Sequence, residues 1–289
     1  MMTTSNALFT LVAETSIHAG ASESEGVVDL PIQREKHTGW PCIYGSGMKG
    51  ALRALAEAQS LADTATLFGP GPKEPNASDC AGSLLVSDAR LLLLPVRSLT
   101  GHYRWVCCPA LLQRLVQDMR RLGFSPEPLN IEVNDNGVLC PDPDMKNRLY
   151  LEEYAFEPAG TVPEAIFKQL LALLGAERKD ELSQKLAIIS DDYFAHLCQA
   201  AIPVQAHIAI DSKTKTVMDG ALWHEETLPP DTVMYLSLMA QRGRNGSMSA
   251  EQVMSVVHEQ LLARPYLQVG GNETTGMGWF HLQPVTREV

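Results

Sequence analysis

Residues 26–55, "GVVDLPIQREKHTGWPCIYGSGMKGALRAL", set one carboxylate, a basic cluster and a glycine-studded junction within a few turns of chain. "CIYG" reads as a short strand. "GALRALAEAQSL" carries helix formers, with Leu52, Leu55 and Leu61 near one face. The order is therefore strand, glycine loop, helix. Between Pro31 and Arg53 the cations Arg34, Lys36, Lys49 and Arg53 outnumber the single Glu35, before His37 is counted.

Upstream of this stretch, residues 7–17 predict a first strand that leads into the turn "HAGASESEG". Downstream, a Gly/Pro-rich surface loop over 62–82 precedes a buried strand in "SLLVSDARLLLLPV". "WVCCPALLQRLVQDMRRLGF" reads as a strand and then an amphipathic helix on Leu112, Leu115, Val116, Met119 and Leu122. Residues 125–143 are proline-rich and irregular, "RLYLEEYAFEP" predicts a strand, and 163–200 predicts mostly helix. "IAIDSKTKTVMDG" has the pattern of a protruding hairpin, and "DTVMYLSLMA" that of a strand. Ser249 and Gln252 form a capping box at the head of a helix, and two strands close the chain around "GGNETTGMGW". Interleaved strands and helices favour an α/β or α+β domain with insertions over a repeat or coiled coil.

The 289 residues are 45% apolar, enough to bury a real core. No apolar run reaches the roughly 18 residues of a membrane span. The start lacks the basic and apolar pattern of a signal peptide, so a cytoplasmic location is expected. Cys42, Cys80, Cys107, Cys108, Cys140 and Cys198 make no CxxC pair and read as reduced and structural. The eight scattered histidines give no zinc-ligand spacing. A net charge of −11 argues against a non-specific nucleic-acid coat, but it leaves room for one basic face.

The junction "YGSGMKGALRAL" offers phosphate a helix N-terminus, with Gly45, Gly47, Gly50 and Lys49 around it and Arg53 one turn on. Alternatively it is a plain tight turn. Walker A fails, because Ala51 and Leu52 stand where Lys and Ser/Thr belong. Asp29 either caps a turn beside Pro31 or completes a cation shell built mostly from water and phosphate oxygens. His18 and His37 flank this loop. Either has the chemistry of a general acid or base, although burial is the commoner fate of a histidine that follows an apolar strand, as His18 does. The pairs Glu152/Glu153 and Glu225/Glu226 are expected to be solvated, since strand neighbours point to opposite faces. Gly270, Gly271, Gly276 and Gly278 do not match GxGxxG, but they let another backbone or a ligand come close.

"HAG…GVVDLPIQREKHTGWPCIYGSGMKGALR" closely resembles the opening of the RAMP-superfamily backbone subunits of type III-B CRISPR (Cmr) effector complexes. "GHYRWVCCPALLQR", "IAIDSKTKTVMDGALWHEETLPP" and "LQVGGNETTGMGWF" resemble the same family in the same order. The resemblance implies an α+β, ferredoxin-like (RRM-type) RAMP core in a single domain over 1–289. It also implies a helical or irregular insertion over 125–201 and a thumb hairpin over 207–230. Copies would polymerise along a CRISPR RNA, next to other subunits of the complex, and cleave complementary single-stranded target RNA at regular intervals in antiviral defence.

By the same resemblance, Asp29 matches the family's target-cleaving aspartate. It would bind or orient Mg²⁺ or Mn²⁺ and position a ribose 2′-hydroxyl for attack, with His18 assisting proton transfer. The RNA-binding set it implies is Arg34, Lys36, His37, Ser46, Gly47, Met48, Lys49 and Arg53, with Lys213, Lys215 and Trp223 on the thumb and Gly270, Gly271, Gly276 and Gly278 in the closing loop. Three rivals stand beside this reading: a non-catalytic scaffold of the same complex, a nucleotide-binding enzyme using "GSGMKG", and a guide-processing nuclease.

Overall fold

A computed structural model describes residues 5–21, 27–71, 81–142, 145–243 and 248–286. The expected turn over 22–26, and residues 72–80 of the glycine-proline loop with Cys80, lie outside the described residues. The strands are β1 (Ser5–Ala13), β2 (Cys42–Ile43), β3 (Leu84–Val86), β4 (Ala89–Arg97), β5 (Tyr103–Cys107), β6 (Gly137–Cys140), β7 (Leu149–Leu151), β8 (Tyr154–Thr161), β9 (Leu186–Ile188), β10 (Val204–Ile210), β11 (Val217–Glu226), β12 (Val233–Ala240), β13 (Tyr266–Gln268) and β14 (Trp279–Pro284). The α-helices are α1 (Gly45–Ala58), α2 (Thr64–Phe68), α3 (Pro109–Arg121), α4 (Glu164–Leu174), α5 (Lys179–Lys185), α6 (Asp191–Ala200) and α7 (Ala250–Val256), the last continued by a π turn at Val257–Leu261.

The centre of the sheet runs β14-β1-β12-β4, every pair antiparallel. Along the chain these strands alternate with helices as β1-α1-β4 and β12-α7-β14, which is the ferredoxin-like arrangement. β1 carries a near-continuous buried run because α7 packs against it on one side and α4 contacts it as well. Its Leu8, Phe9 and Leu11 are almost fully removed from water. α3 buries Leu112, Leu115, Val116 and Met119 of the predicted stripe, with Leu111 beside them, and the fifth member, Leu122, is buried at its C-terminal cap. Ser249 and Gln252 close the expected capping box at α7.

The 125–201 segment differs from its helical or irregular expectation. β6, β7, β8 and β9 extend the sheet past β5, with α4, α5 and α6 between or beside them. "RLYLEEYAFEP" is two strands, because Glu152 takes a left-handed φ of 50° and turns β7 back onto β8. Glu152 pairs with Arg97 at the end of β4 and Glu153 is exposed, so the alternation assumed for the pair does not apply.

The five described cysteines are free and buried. Desolvation pushes the thiols of Cys42 and Cys198 up to about 12 and that of Cys140 up to about 11, so they hold almost no thiolate at neutral pH. Among the described residues no helix is long and apolar enough to cross a membrane.

Candidate nucleic-acid interface and cleavage site

β10 and β11 form a sheet of their own that stands off the main one as the expected thumb. Its base is a junction. Leu30 bridges Glu225 in parallel, with Leu30 N–H donating to His224 O at 3.0 Å and Glu226 N–H to Leu30 O at 3.0 Å. The Asp29 loop is thereby added to the thumb as a third strand segment. Asp29 stands beside it with a half-exposed side chain, accepting the His224 N–H on Oδ2 at 2.7 Å. His224 Nδ1 lies 3.5 Å from the same oxygen. The His224 N–H holds the Asp29 carboxyl below the usual carboxylate range, so Asp29 is an anion at neutral pH.

Glu225 and Glu226 overturn the expectation of solvated carboxylates: both are buried. They do point to opposite faces, but both faces are covered at the thumb base. Glu226 takes the Arg34 guanidinium, accepts Ile32 N–H at 3.0 Å, and offers its backbone carbonyl to His18 Nδ1 at 2.8 Å. Glu225 accepts the side-chain amide of Asn272 and lies 3.7 Å from His18 Nδ1. Sequence reasoning missed Glu225, Glu226, His224 and Asn272 as parts of the site. Only the run of polar residues closing an exposed strand could have flagged them.

The closing glycine loop packs against the chain's own 16–18 segment. Gly271 N–H donates to His18 O at 2.9 Å and Gly278 N–H to Ser16 O at 2.9 Å. A Cβ on Gly270, whose φ is +89°, would overlap the His18 carbonyl. Gly276 has open space around its Cα, but its N–H is spent on Glu273 O at 2.9 Å. His18 is consequently buried between this loop and the thumb, where its Nδ1 is occupied.

α1 begins five residues earlier than its sequence pattern indicates, so Ser46–Lys49 is its first turn and not a loop. Gly45 N–H donates to Asp88 Oδ1 at 2.7 Å, and a Cβ at Gly45 would lie 2.8 Å from Val86 O, so this glycine serves a close approach to the β3–β4 turn. Met48 is fully buried and its N–H bonds Tyr44 O, which removes it from any RNA contact. Ser46 and Gly47 are exposed at the helix start and Lys49 is partly exposed. Tyr44 N–H donates to Gln33 Oε1 at 2.6 Å and its hydroxyl donates to Arg34 O at 3.3 Å, so the helix start is tied to the thumb-base segment.

The basic cluster is smaller than its sequence count. Arg34 is spent on Glu226 and on the Gly39 and Cys198 carbonyls at 2.9 and 2.7 Å. Arg53 is spent on Glu57 at 2.7 Å and on the Gly69 and Pro70 carbonyls. Both guanidiniums are thus engaged within the chain. Lys36 and His37 are exposed, as are Lys213 and Lys215 at the thumb tip. Trp223 stacks on His207 with centroids 5.4 Å apart and the planes 14° apart.

Among the described residues no three His, Cys, Asp or Glu side chains are grouped to hold a metal ion. Asp29 brings a single carboxylate, with Oδ2 engaged by the His224 N–H.

The RAMP superfamily model matches residues 10–281. The chain is 36% identical over 281 residues to "CRISPR system Cmr endoribonuclease Cmr4" of Pyrococcus furiosus, covering 94% of this chain and 92% of the relative. It is 24% identical to "CRISPR system CMR subunit Cmr4" of Saccharolobus solfataricus, covering 95% of each. Among solved structures it is similar to oligomeric Cmr4 from Pyrococcus furiosus, at a TM-score of 0.73, 28% identity and 97% coverage of both chains. A chain of the type III-B Cmr-beta complex bound to cognate target RNA shares the fold at a TM-score of 0.74, with 20% identity and 97% coverage of both.

Proposed function

The chain belongs to the RAMP superfamily, and on that premise we propose that it is a backbone subunit of a type III CRISPR RNA-guided effector complex in the cytoplasm. Copies polymerise along the CRISPR RNA, beside the other subunits, and cleave complementary target RNA at regular intervals in antiviral defence. The relative named as an endoribonuclease supports the activity, and the solved oligomer of a similar chain supports the polymer. The observation that carries the reading is Asp29: an ionised, half-exposed carboxylate fixed to the base of a protruding hairpin.

The chemistry follows from that geometry. Ser46, Gly47 and Lys49 at the start of α1, with Lys36 and His37, hold guide phosphates. Lys213, Lys215 and Trp223 bring the thumb against the duplex. Asp29 accepts the 2′-hydroxyl of the target nucleotide and aligns it for in-line attack on the adjacent phosphate. The 2′-hydroxyl proton passes to Asp29, the P–O5′ bond breaks to leave a 2′,3′-cyclic phosphate, and the departing O5′ takes a proton from water to become a 5′-hydroxyl. His18, already bonded and buried, acts by fixing the loop, a change from the proton-transfer role first assigned to it.

A divalent cation, Mg²⁺ or Mn²⁺, fits this chain only as a shared ligand. Asp29 alone is too few donors for a resident ion, while RNA phosphate oxygens and water would complete an octahedral shell. Such an ion would supply charge neutralisation at the phosphate.

Incubating the assembled complex with complementary RNA tests the function. An evenly spaced fragment ladder that disappears with Asp29→Asn is the expected result, and its persistence in that variant would move cutting to another subunit. Repeating the reaction in EDTA tests the cation separately.

A further inference from the structure

The main sheet runs in strand order from β13 at one end to β7 at the other, and each end carries exposed apolar side chains. At the β13 end a groove of about 840 Å³ lies between the end of α1, the π turn and the β13–β14 pair. Leu55, Leu61, Ala263, Tyr266 and Trp279 line it, together with Arg264. Tyr266 is 48% exposed and Trp279 39% exposed. The β7 end carries a projection instead of a hollow. Ser98 bridges Leu151 in antiparallel register and both are buried, so their chain neighbours Leu99 and Tyr150 come side by side and face outward. Leu99, at the tip of the β4–β5 turn, is 78% exposed. Ser98 N–H closes this turn onto His102 O at 2.8 Å, and His102 holds a left-handed φ of 66°. Few non-glycine residues adopt that conformation, so Leu99 is presented on a turn built at a conformational cost.

The two ends also carry opposite charge. Arg264 is exposed at the groove, and Glu153 is exposed in the β7–β8 turn, two residues past Leu151. Neither side chain has an ionic partner among the described residues. Resting on the proposed polymer, we infer that the ends mate head to tail: Leu99 and Tyr150 of one copy seat in the α1–β13 groove of the next, and Glu153 meets Arg264. A self-complementary patch closes a dimer and stops, whereas two different patches leave one of each free after every addition and so propagate. The projection and the groove lie on the two terminal strands of the sheet, as a propagating contact requires. A second copy is the occupant because the two surfaces match in kind, apolar to apolar, and in sign, carboxylate to guanidinium. Neither end includes a thumb residue or the Asp29 loop, so this contact is separable from cutting.

Native mass spectrometry of the full-length chain on a guide RNA two binding sites long tests the interface. The unaltered chain is expected to fill both sites together, giving more doubly filled RNA than independent binding allows. Leu99→Asp abolishes the projection and Ala263→Arg fills the groove; both positions are exposed, so the fold is kept. Each variant alone is expected to lose roughly tenfold or more of that excess, and Leu99→Met to keep it. A mixture of the two variants, one isotopically labelled, is expected to recover the excess only in complexes holding one chain of each, since one intact projection then faces one intact groove. Glu153→Lys lowers the excess by about two- to threefold, and adding Arg264→Glu to the same chain restores it. Undiminished cooperativity in Leu99→Asp overturns the interface, as does loss in both variants with no mixed pairs recovered. If the unaltered chain itself fills the two sites independently, the polymer reading fails; if it is cooperative and the variants are too, only this interface does.

Discussion

At its base the β10–β11 hairpin is welded to the 16–18 segment, the 29–34 segment and the closing glycine loop, whereas its outer half is a bare two-stranded ribbon. Glu225 and Glu226 are buried at one end. Ile210 and Val217, paired at the other, are each more than half exposed. A two-stranded ribbon is marginal in water on its own, so the outer half depends on the base for its direction. The contrast teaches where precision is stored: Asp29 is attached to the packed end, and the exposed end is left open to solvent.

The sharpest way to break the comparison is at the carboxylate that both halves serve. Asp29→Asn is expected to cut the rate of target cleavage roughly hundredfold or more while leaving guide binding unchanged, because a positioned acid/base group contributes on that scale. Gel analysis of labelled target beside a binding isotherm checks it. Next comes Glu226→Ala, which strips the partner from Arg34 and leaves a largely buried cation unpaired, at a cost of about 3 kcal/mol in chemical unfolding. If Glu226→Ala proved as mild as a surface change, the base would not be where precision is stored.

Gly270→Ala probes the same weld from the other side. At a φ of +89° and against the His18 carbonyl, an added methyl should cost about 2 kcal/mol and shift the unfolding midpoint downward. The matching change on the outer half, Ile210→Thr, removes no buried contact and should stay within about 0.5 kcal/mol. Equal losses at the two positions would erase the distinction.

Much of the core was legible in the sequence, because α3 and the capped α7 helix follow apolar spacing and capping chemistry that act over a few residues. Asp29 and Lys49 were singled out by the family resemblance, since residue chemistry alone left a turn cap and a plain tight turn as alternatives. What escaped is non-local. Arg34 and Arg53 look free in sequence, yet their guanidiniums are consumed by Glu226 and by the Gly69 and Pro70 carbonyls. Gly270 advertises a close approach, but only the fold reveals that the visitor is His18. Glu225 and Glu226 obey strand alternation, and the inference of solvation fails because the thumb base is covered on both faces.

The smallest expected effect concerns acid. The His224 N–H depresses the Asp29 carboxyl below its ordinary value of 3.8, so the folded state holds fewer protons there than the unfolded chain does. Any stability from this bond is complete above the unfolded value and fades as pH falls through the lower folded one. Asp29 therefore stays ionised from about pH 5 to 8, and its own titration should leave no inflection in the cutting rate over that range. A pH–rate profile of the unaltered complex beside Asp29→Glu checks this. An inflection in that range that moves with Asp29→Glu would mean that the base of the thumb does not hold the carboxylate in the charged state its hydrogen bond implies.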